Sequence, residues 1–554
     1  MSNFSASPSS LYTPSRPAML GGLLPAAAAS NPHGVALVEP SSGRHICYSE
    51  LESAANQLAD QFQSWGIGPG HRVGIWLPKS IESVATIHAS LRTGAAHVPV
   101  DPLAPAARAA TIFSLAGVSA AVVHESFVEP LKNAWPPELA DHFPYLVIVN
   151  DHGTENTDCI DFSQKEKHWR QVQANTIAQT IIPPDQPLTD LAYILFTSGS
   201  TGQPKGVMLT HENAWCFLDW CEREIAPTDA DVFASHAPLH FDLSVFDLYM
   251  SVLHAAPLVL IDEQMAKDPV RLAGYLKSSP ITVWYSAPSI LAMMVEHGDL
   301  EKPEPGQTSP WPGPKITLFA GEVFPVGPLK ALRKCWPSST FWNLYGPTET
   351  NVCTAYRAPA NLESLEAPLP IGPVCSPLEA RVVDPEGLDV AHGEKGELVI
   401  AGPRVMPGYF GRDDLTAAAF FVTPDHRKWS RTGDLVIDDG SGNFIFHGRR
   451  DRMVKKRGYR IELGEIESAL YRNDAIERAA VVAVPSESQG LRIAAFVAMK
   501  PDRPASIIAI KRHCSTQLPQ YMIPDDIKFL PALPTTSTDK VDYPALKKIL
   551  GLVA

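Results

Sequence analysis

The sequence predicts an α/β protein in two parts: a large N-terminal domain of sheets layered with helices, and a small α+β domain at the C-terminal end. Three observations carry this. From Val35 onward, short apolar runs alternate with helical patterns, as strands interleaved with helices do. The chain has 554 residues, and one core stops growing near roughly 250–300 residues. Near Gly448 the character changes: Arg449, Arg450, Asp451, Arg452, Lys455, Lys456, Arg457 and Arg460 form a dense basic run ahead of a last stretch with its own pattern.

Taken in order, residues 1–17 are rich in Ser and Pro and predict a loose tail. Residues 18–30 predict a first amphipathic helix. Only Arg16 precedes this stretch and Pro25 interrupts it, which argues against a signal peptide. Residues 73–77 predict a buried strand, 81–93 a helix and 97–100 a strand, with further short strands at 120–123, 146–149, 283–285 and 316–320. The basic run places a boundary near 450, giving a large domain over 18–450 and a small mobile domain over 451–554. The latter predicts a helix at 462–471, strands at 479–484 and 493–498, and a helix at 507–517. Arg450, Arg452 and Lys456 read as a solvated linker.

A formal charge of −14 argues against a nucleic-acid binder, which needs clustered Lys and Arg for phosphate contacts, but not against a nucleotide ligand. The cysteines, at 47, 159, 216, 221, 335, 353, 375 and 514, form no C-x-x-C pair; they read as reduced, mostly buried thiols in the cytoplasm. No apolar run approaches the roughly 20 residues that span a bilayer, so no membrane contact is expected.

The strongest local chemistry follows the strand predicted at 193–196. The stretch Thr197-Ser198-Gly199-Ser200-Thr201-Gly202-Gln203-Pro204-Lys205-Gly206 places hydroxyls, glycines and a lysine directly after it. Glycines let backbone N–H groups approach a phosphate, hydroxyls donate to it, and lysine supplies charge. No Gly-Lys-Ser/Thr closes the loop, so it is not a Walker A motif. Taken alone, it also suits a flexible surface turn.

This loop resembles the signature loop of the adenylate-forming superfamily, and further motifs resembling that family follow in order. They are Tyr48-Ser49-Glu50-Leu51, LRTGAAHVPVDP at 91–102, Phe241-Asp242-Leu243-Ser244, NLYGPTE at 343–349, GELVIAGPRVMPGY at 396–409, Thr432-Gly433-Asp434, GRRDRMVKKRGYRIELGEIE at 448–467, and Lys540. The resemblance implies that a carboxylate attacks the α-phosphorus of ATP, and that a thiol then attacks the acyl-adenylate and expels AMP. It further implies a role for each matching position. Thr197, Ser198, Gly199, Ser200, Thr201, Gly202 and Lys205 hold the outer phosphates. Glu349, with Thr197, binds Mg²⁺ through hard oxygen ligands. Tyr345 stacks on adenine, with Gly321, Glu322, Asn343, Gly346 and Thr348 around the nucleotide. Asp434 takes the ribose hydroxyls, supported by Arg449. Lys540 bridges the substrate carboxylate and the α-phosphate, joining Lys205 and Glu349 as the catalytic set. Asp539 stands directly before Lys540, where the family usually has glycine. Asp451 matches the hinge about which the small domain turns between half-reactions, and Gly458 matches the wall of the tunnel for the thiol arm.

Asp242 narrows the acid. A carboxylate buried unpaired in an acyl pocket costs several kcal/mol, whereas amino-acid-activating relatives use it to pair the substrate ammonium. As an N-cap of a helix beginning at Leu243 or Ser244 it would be structural only. The family's specificity positions fall on Asp242, Leu243, Phe246, Tyr285, Leu318, Ala320, Leu344, Val352, Cys353 and Lys540, beside Phe241. Apart from its two ends that set is apolar with one tyrosine, fitting a small uncharged side chain. The string resembles the pocket of stand-alone prolyl–carrier protein ligases and so implies L-proline. D-alanine–carrier ligases share the anchor motif and compete; acyl-CoA ligases of small acids and a catalytically silent nucleotide binder remain open as further classes. Only 14 residues follow Lys540, without a phosphopantetheine-accepting serine motif. The expected partner is therefore a holo carrier protein met in trans.

Overall fold

The computed structural model describes residues 19–150, 166–173, 180–199, 203–302, 311–423, 426–486, 490–501, 503–535 and 541–550. At the centre of the large domain lies the helix Ile81–Thr93, buried along its whole length. The Ser80 hydroxyl accepts the Ser83 N–H at its start, and Gly94 ends it with φ +80°, the left-handed conformation glycine adopts without penalty. Its few charges are paired rather than stranded: Arg92 pairs with Glu52 and also donates to Asn56 at 2.9 Å, and Arg44 meets Glu82 at 2.6 Å, as burial demands.

This helix touches both large sheets. One sheet runs Thr354–Arg357, Thr340–Tyr345, Ile316–Ala320, Val283–Ser286, Phe233–Ser235, Leu258–Leu260, Val35–Glu39, Arg44–Cys47. It is parallel except at its two edges. The other runs Glu166–His168, Tyr145–Val149, Ala120–His124, Arg72–Trp76, Ala96–Pro99, Leu191–Thr197, Lys205–Thr210. In it only the last pair is antiparallel. Parallel strands buried on both faces explain the short, continuous apolar runs of the sequence.

A third, antiparallel sheet joins Glu379–Val383, Lys395–Ala401, Lys428–Asp438, Phe420–Val422 and Phe444–Arg449. After Arg449 the small module begins with the ribbon Met453–Lys456/Tyr459–Glu462 and the helix Leu463–Tyr471. The three-stranded sheet of Ile476–Ser486, Gly490–Met499 and Asp526–Phe529 follows, covered by the helix Ile507–Gln517. Its core is its own, built on residues such as Ile461, Ile466, Val481, Ile493 and Cys514.

Two readings of the sequence need correction. The first helix is shorter than expected: a 3₁₀ turn at Leu20–Gly22 precedes the α-helix Leu23–Ser30, because Pro25 is accommodated only in a first helical turn. Lys456 is not a solvated linker residue. The ribbon turns it inward, it is 6% exposed, and it donates to both Asp525 oxygens at 2.7 and 2.6 Å. Arg450 and Arg452 stay exposed but are also paired, with Glu397 and Glu467. The described cysteines are free thiols, most of them buried. Among the described residues no helix is long and apolar enough to cross a membrane.

Candidate active site

The site forms where the parallel strands of the first sheet end, the place at which open α/β sheets bind ligands. Tyr285 pairs with Leu318, and Ala320 with Leu344, in adjacent strands. Their ends present Tyr285, Ala320 and Gly321 to a cavity that Asp242, Leu243, Gly346, Pro347, Thr348, Asn351 and Val352 also line. Met453, Lys455, Gly458 and Arg460 of the small module close it, around about 550 Å³ of space partly open to solvent.

Asp242 stands at the wall of this cavity and is not a helix cap. The helix that follows is Ser244–Leu253, its N-cap is Leu243, and no side chain caps it. Burial pushes the Asp242 carboxyl above its ordinary range; a hydrogen bond from Thr348 and the charge of Lys455 only partly oppose this. An additional cation is what such a carboxylate lacks. Phe246 reaches the cavity through Tyr285, against which its ring stands edge-on at 5.9 Å. Leu318, Leu344 and Phe246 belong to the core behind the wall. Cys353 is buried beside Tyr345 in a separate cluster.

Gly346 has no room for a side chain. A Cβ there would meet the Asn351 carbonyl oxygen at 1.6 Å and the Cys353 nitrogen at 3.1 Å, while Asn351 itself adopts φ +53°. Gly346→Ala must displace this turn. The expected outcome is a loss of about 1–3 kcal/mol in stability, seen as a lower Tm in a thermal scan, and more than tenfold lower adenylation activity. An unchanged Tm with full activity would refute the assignment.

Two carboxylate hubs lie on either side. In the first, the Asp434 carboxylate accepts from Arg449 at 2.6 Å and from the Tyr345 hydroxyl. Arg449 in turn donates to Asp451 at 2.7 and 2.9 Å. In the second, Glu349 accepts from Arg460 through both oxygens at 2.8 Å. Tyr409 donates to it at 2.6 Å and Lys205 at 3.4 Å. Burial alone would raise the Glu349 carboxyl, but Arg460 and Lys205 outweigh it and hold it far below the usual carboxylate range.

Lys205 reaches this hub because the strand Leu191–Thr197 pairs antiparallel with Lys205–Thr210, placing Thr197 opposite Lys205. The Thr197 hydroxyl is buried and bonds to no described residue. Ser198 donates to the Arg460 carbonyl at 2.9 Å, and the Gly199 N–H donates to Glu465 at 3.3 Å. Ser200, Thr201, Gly202, Asp539 and Lys540 lie outside the described residues.

The small module docks through Gly458. Its N–H donates to Glu322 at 3.0 Å, whose other oxygen accepts from Ser289. Gly458 has φ +80°, and a Cβ there would come within 3.2 Å of Ala287. Glu322 thus holds the module rather than opening onto the cavity, and Asn343 donates to the Pro370 carbonyl. Tyr409, Asn351, Met453, Lys455 and Arg460 are site residues that the sequence reading did not single out. Tyr409, Met453, Lys455 and Arg460 sit inside motif segments, but only the fold shows which side chains face inward.

This arrangement has relatives. The model of the AMP-binding enzyme family matches residues 24–410, and that of the AMP-binding enzyme C-terminal domain matches 465–540. An L-proline–[L-prolyl-carrier protein] ligase of Pseudomonas fluorescens is 38% identical, over 91% of this chain and 94% of its own length. A protein of the same name from Streptomyces coelicolor is 35% identical, over 90% and 91%. The Vibrio cholerae adenylation domain AlmE, solved with glycyl-adenosine-5'-phosphate, superposes with a TM-score of 0.80 at 24% identity, covering 98% of this chain and 99% of that one; at that identity it bears on the fold. Family models matching most of the large domain and most of the small module, with relatives of matching length, place the chain in the AMP-binding enzyme family, as an ATP-dependent ligase that forms an adenylate and then a thioester.

Proposed function

We propose that the enzyme activates L-proline as prolyl-AMP and passes it to the phosphopantetheine thiol of a separate carrier protein in the cytoplasm. The observation that carries this reading is Asp242, a buried carboxylate only partly offset by Lys455, at the wall of a cavity whose apolar lining includes Leu243, Tyr285, Ala320 and Val352. A substrate ammonium supplies the cation, and a compact apolar ring fits the rest. The two carrier-protein ligase relatives support the same substrate and partner.

In the first half-reaction the proline carboxylate attacks the α-phosphorus and pyrophosphate leaves; in the second the carrier thiol attacks the carbonyl and AMP leaves. Chemistry of this kind rests on positioning and charge. The loop from Thr197 to Lys205 holds the outer phosphates. Tyr345, with Gly321, Asn343, Gly346 and Thr348, frames the adenine end, and Asp434, aligned by Arg449, accepts the ribose hydroxyls. Lys540 serves the first half-reaction. The small module, 451–554, turns at Asp451 on the domain 18–450, and Gly458 leaves room for the thiol arm. Glu349 and the Thr197 hydroxyl, which bonds to no described residue, are hard oxygen donors of the kind Mg²⁺ takes. When bound, the ion neutralises phosphate charge.

The test is amino-acid-dependent ATP–pyrophosphate exchange with the twenty common amino acids, D-proline, D-alanine and pipecolate. L-Proline is expected to dominate. Pipecolate should follow within about 10–200-fold, since an apolar pocket resolves one methylene by only ~1–3 kcal/mol. Dominance of D-alanine, or activity only with a plain carboxylic acid and CoA, would replace the substrate assignment.

A further inference from the structure

One lysine outside the substrate cavity grips the chain just ahead of Asp242. Lys79 lies between the strand Arg72–Trp76 and the helix Ile81–Thr93 and is 8% exposed. Its ammonium donates to the Ser235 carbonyl at 2.6 Å and to the His236 carbonyl at 3.0 Å. Ser235 ends the strand Phe233–Ser235 of the other large sheet, and the segment from His236 to Phe241 then leads to Asp242. Past Asp242, the helix Ser244–Leu253 carries Asp247, which is 1% exposed and has no hydrogen-bond partner for either oxygen among the described residues. The charges of Lys79 and Asp247 nonetheless act on each other, and Asp247 also acts on Tyr285 of the cavity wall. We propose that Lys79, balanced by Asp247, is a positioning residue that sets Asp242 for the substrate amine. This rests on Asp242 as the amino-acid anchor.

Asp242 is held from both sides. Upstream, two carbonyls share one ammonium that belongs to the opposite sheet, a charge-assisted contact stronger than a neutral one. Downstream, Asp247 is a buried carboxylate that tolerates its site only with a cation nearby. A neutral side chain at position 79 removes both supports at once. The groups facing Lys79 come from three elements. Glu263 accepts the Lys79 backbone N–H at 3.2 Å, and with Asp262 and Asp247 it supports the ammonium charge. His236 and His240, from the segment ahead of Asp242, are kept neutral by burial. Burial outweighs the three carboxylates and lowers the Lys79 ammonium from its ordinary 10.5 to about 8. As pH rises through that value the lysine loses its proton, its grip on the two carbonyls weakens, and Asp247 is left without a counter-charge.

ATP–pyrophosphate exchange by the full-length enzyme between about pH 7 and 9 tests this. In wild type, KM for the amino acid should rise several-fold as pH passes about 8, while KM for ATP stays level. An amino-acid KM that stays level overturns the proposal without any variant. Lys79→Arg should abolish the rise, because a guanidinium keeps its charge, and Lys79 borders a second cavity of about 260 Å³ with room for the larger group. Any rise owed to the substrate's own ammonium persists in that variant, so an equal rise in both overturns the proposal. Lys79→Met should raise KM for the amino acid by about tenfold or more at pH 7, with KM for ATP unchanged; equal changes in the two would make Lys79 purely structural. Asp247→Asn should move the rise to lower pH, and a rise at the wild-type pH counts against the pairing. Exchange driven by another amino acid would keep this inference and discard L-proline. Loss of exchange in Asp242→Ala, beside identical profiles for wild type and Lys79→Arg, would keep the anchor and discard the role of Lys79.

Discussion

Asp242→Ala is expected to cut kcat/KM for the amino acid by on the order of 10²–10³-fold, because it leaves a substrate ammonium buried without its partner, a loss of about 3–4 kcal/mol. The carboxylate caps no helix. Leu243 is the N-cap of the adjacent helix and no side chain caps it, so truncation should leave the fold and ATP binding intact. A pH profile gives an independent reading. Burial raises the Asp242 carboxyl, so it takes up a proton at a higher pH than an exposed aspartate. KM for the amino acid should therefore climb as pH falls through the acid range, while KM for ATP stays level. In Asp242→Asn that slope should vanish. Exchange retained within tenfold in Asp242→Ala would make the carboxylate structural and remove the basis for an amino-acid substrate.

How far the sequence reveals this molecule depends on whether a feature is local. The helix Ile81–Thr93 and the strand Ile316–Ala320 are legible to the residue, since a serine cap, a terminal glycine and an apolar run are all written in adjacent positions. Strands of the small module extend beyond their expected ends, because pairing with a neighbour carries a strand past its apolar centre. The pocket is legible in part. Asp242, Leu243, Tyr285, Ala320 and Val352 face the cavity, but Phe246, Leu318 and Leu344 support it from the core. A linear string of positions does not separate a wall from the layer behind it. Pairs such as Arg108–Glu465 and Arg460–Glu349 leave no local trace at all. Their members lie 357 and 111 residues apart, and charge in a basic run looks the same whether it is solvated or, as with Lys456, buried on an aspartate.

A second large effect concerns acid stability. His88, His97 and His236 are buried, and burial lowers each from an ordinary value of 6.5 to about 3; His211 falls to about 4 for the same reason. His97 shares a hydrogen bond with the Tyr249 hydroxyl at 3.0 Å, but neither nitrogen of His88 has a partner among the described residues. Among the described residues none of the four is paired with a carboxylate that would welcome a second proton. Depressed folded values fix the sign: the unfolded chain binds these protons first, so their contribution is complete above about pH 6.5 and is lost as pH falls toward 4 and then 3. Near pH 5 the loss is about 2 kcal/mol for each histidine, against a total stability of about 5–15 kcal/mol for a typical protein. Urea midpoints should therefore fall steeply between pH 6.5 and 5. In His88→Gln the slope should be shallower by close to one proton over that interval, even if the variant is less stable at pH 7. A slope identical to that of the wild type would mean that His88 is already protonated in the fold, which would require a bound anion or water path reaching the helix Ile81–Thr93.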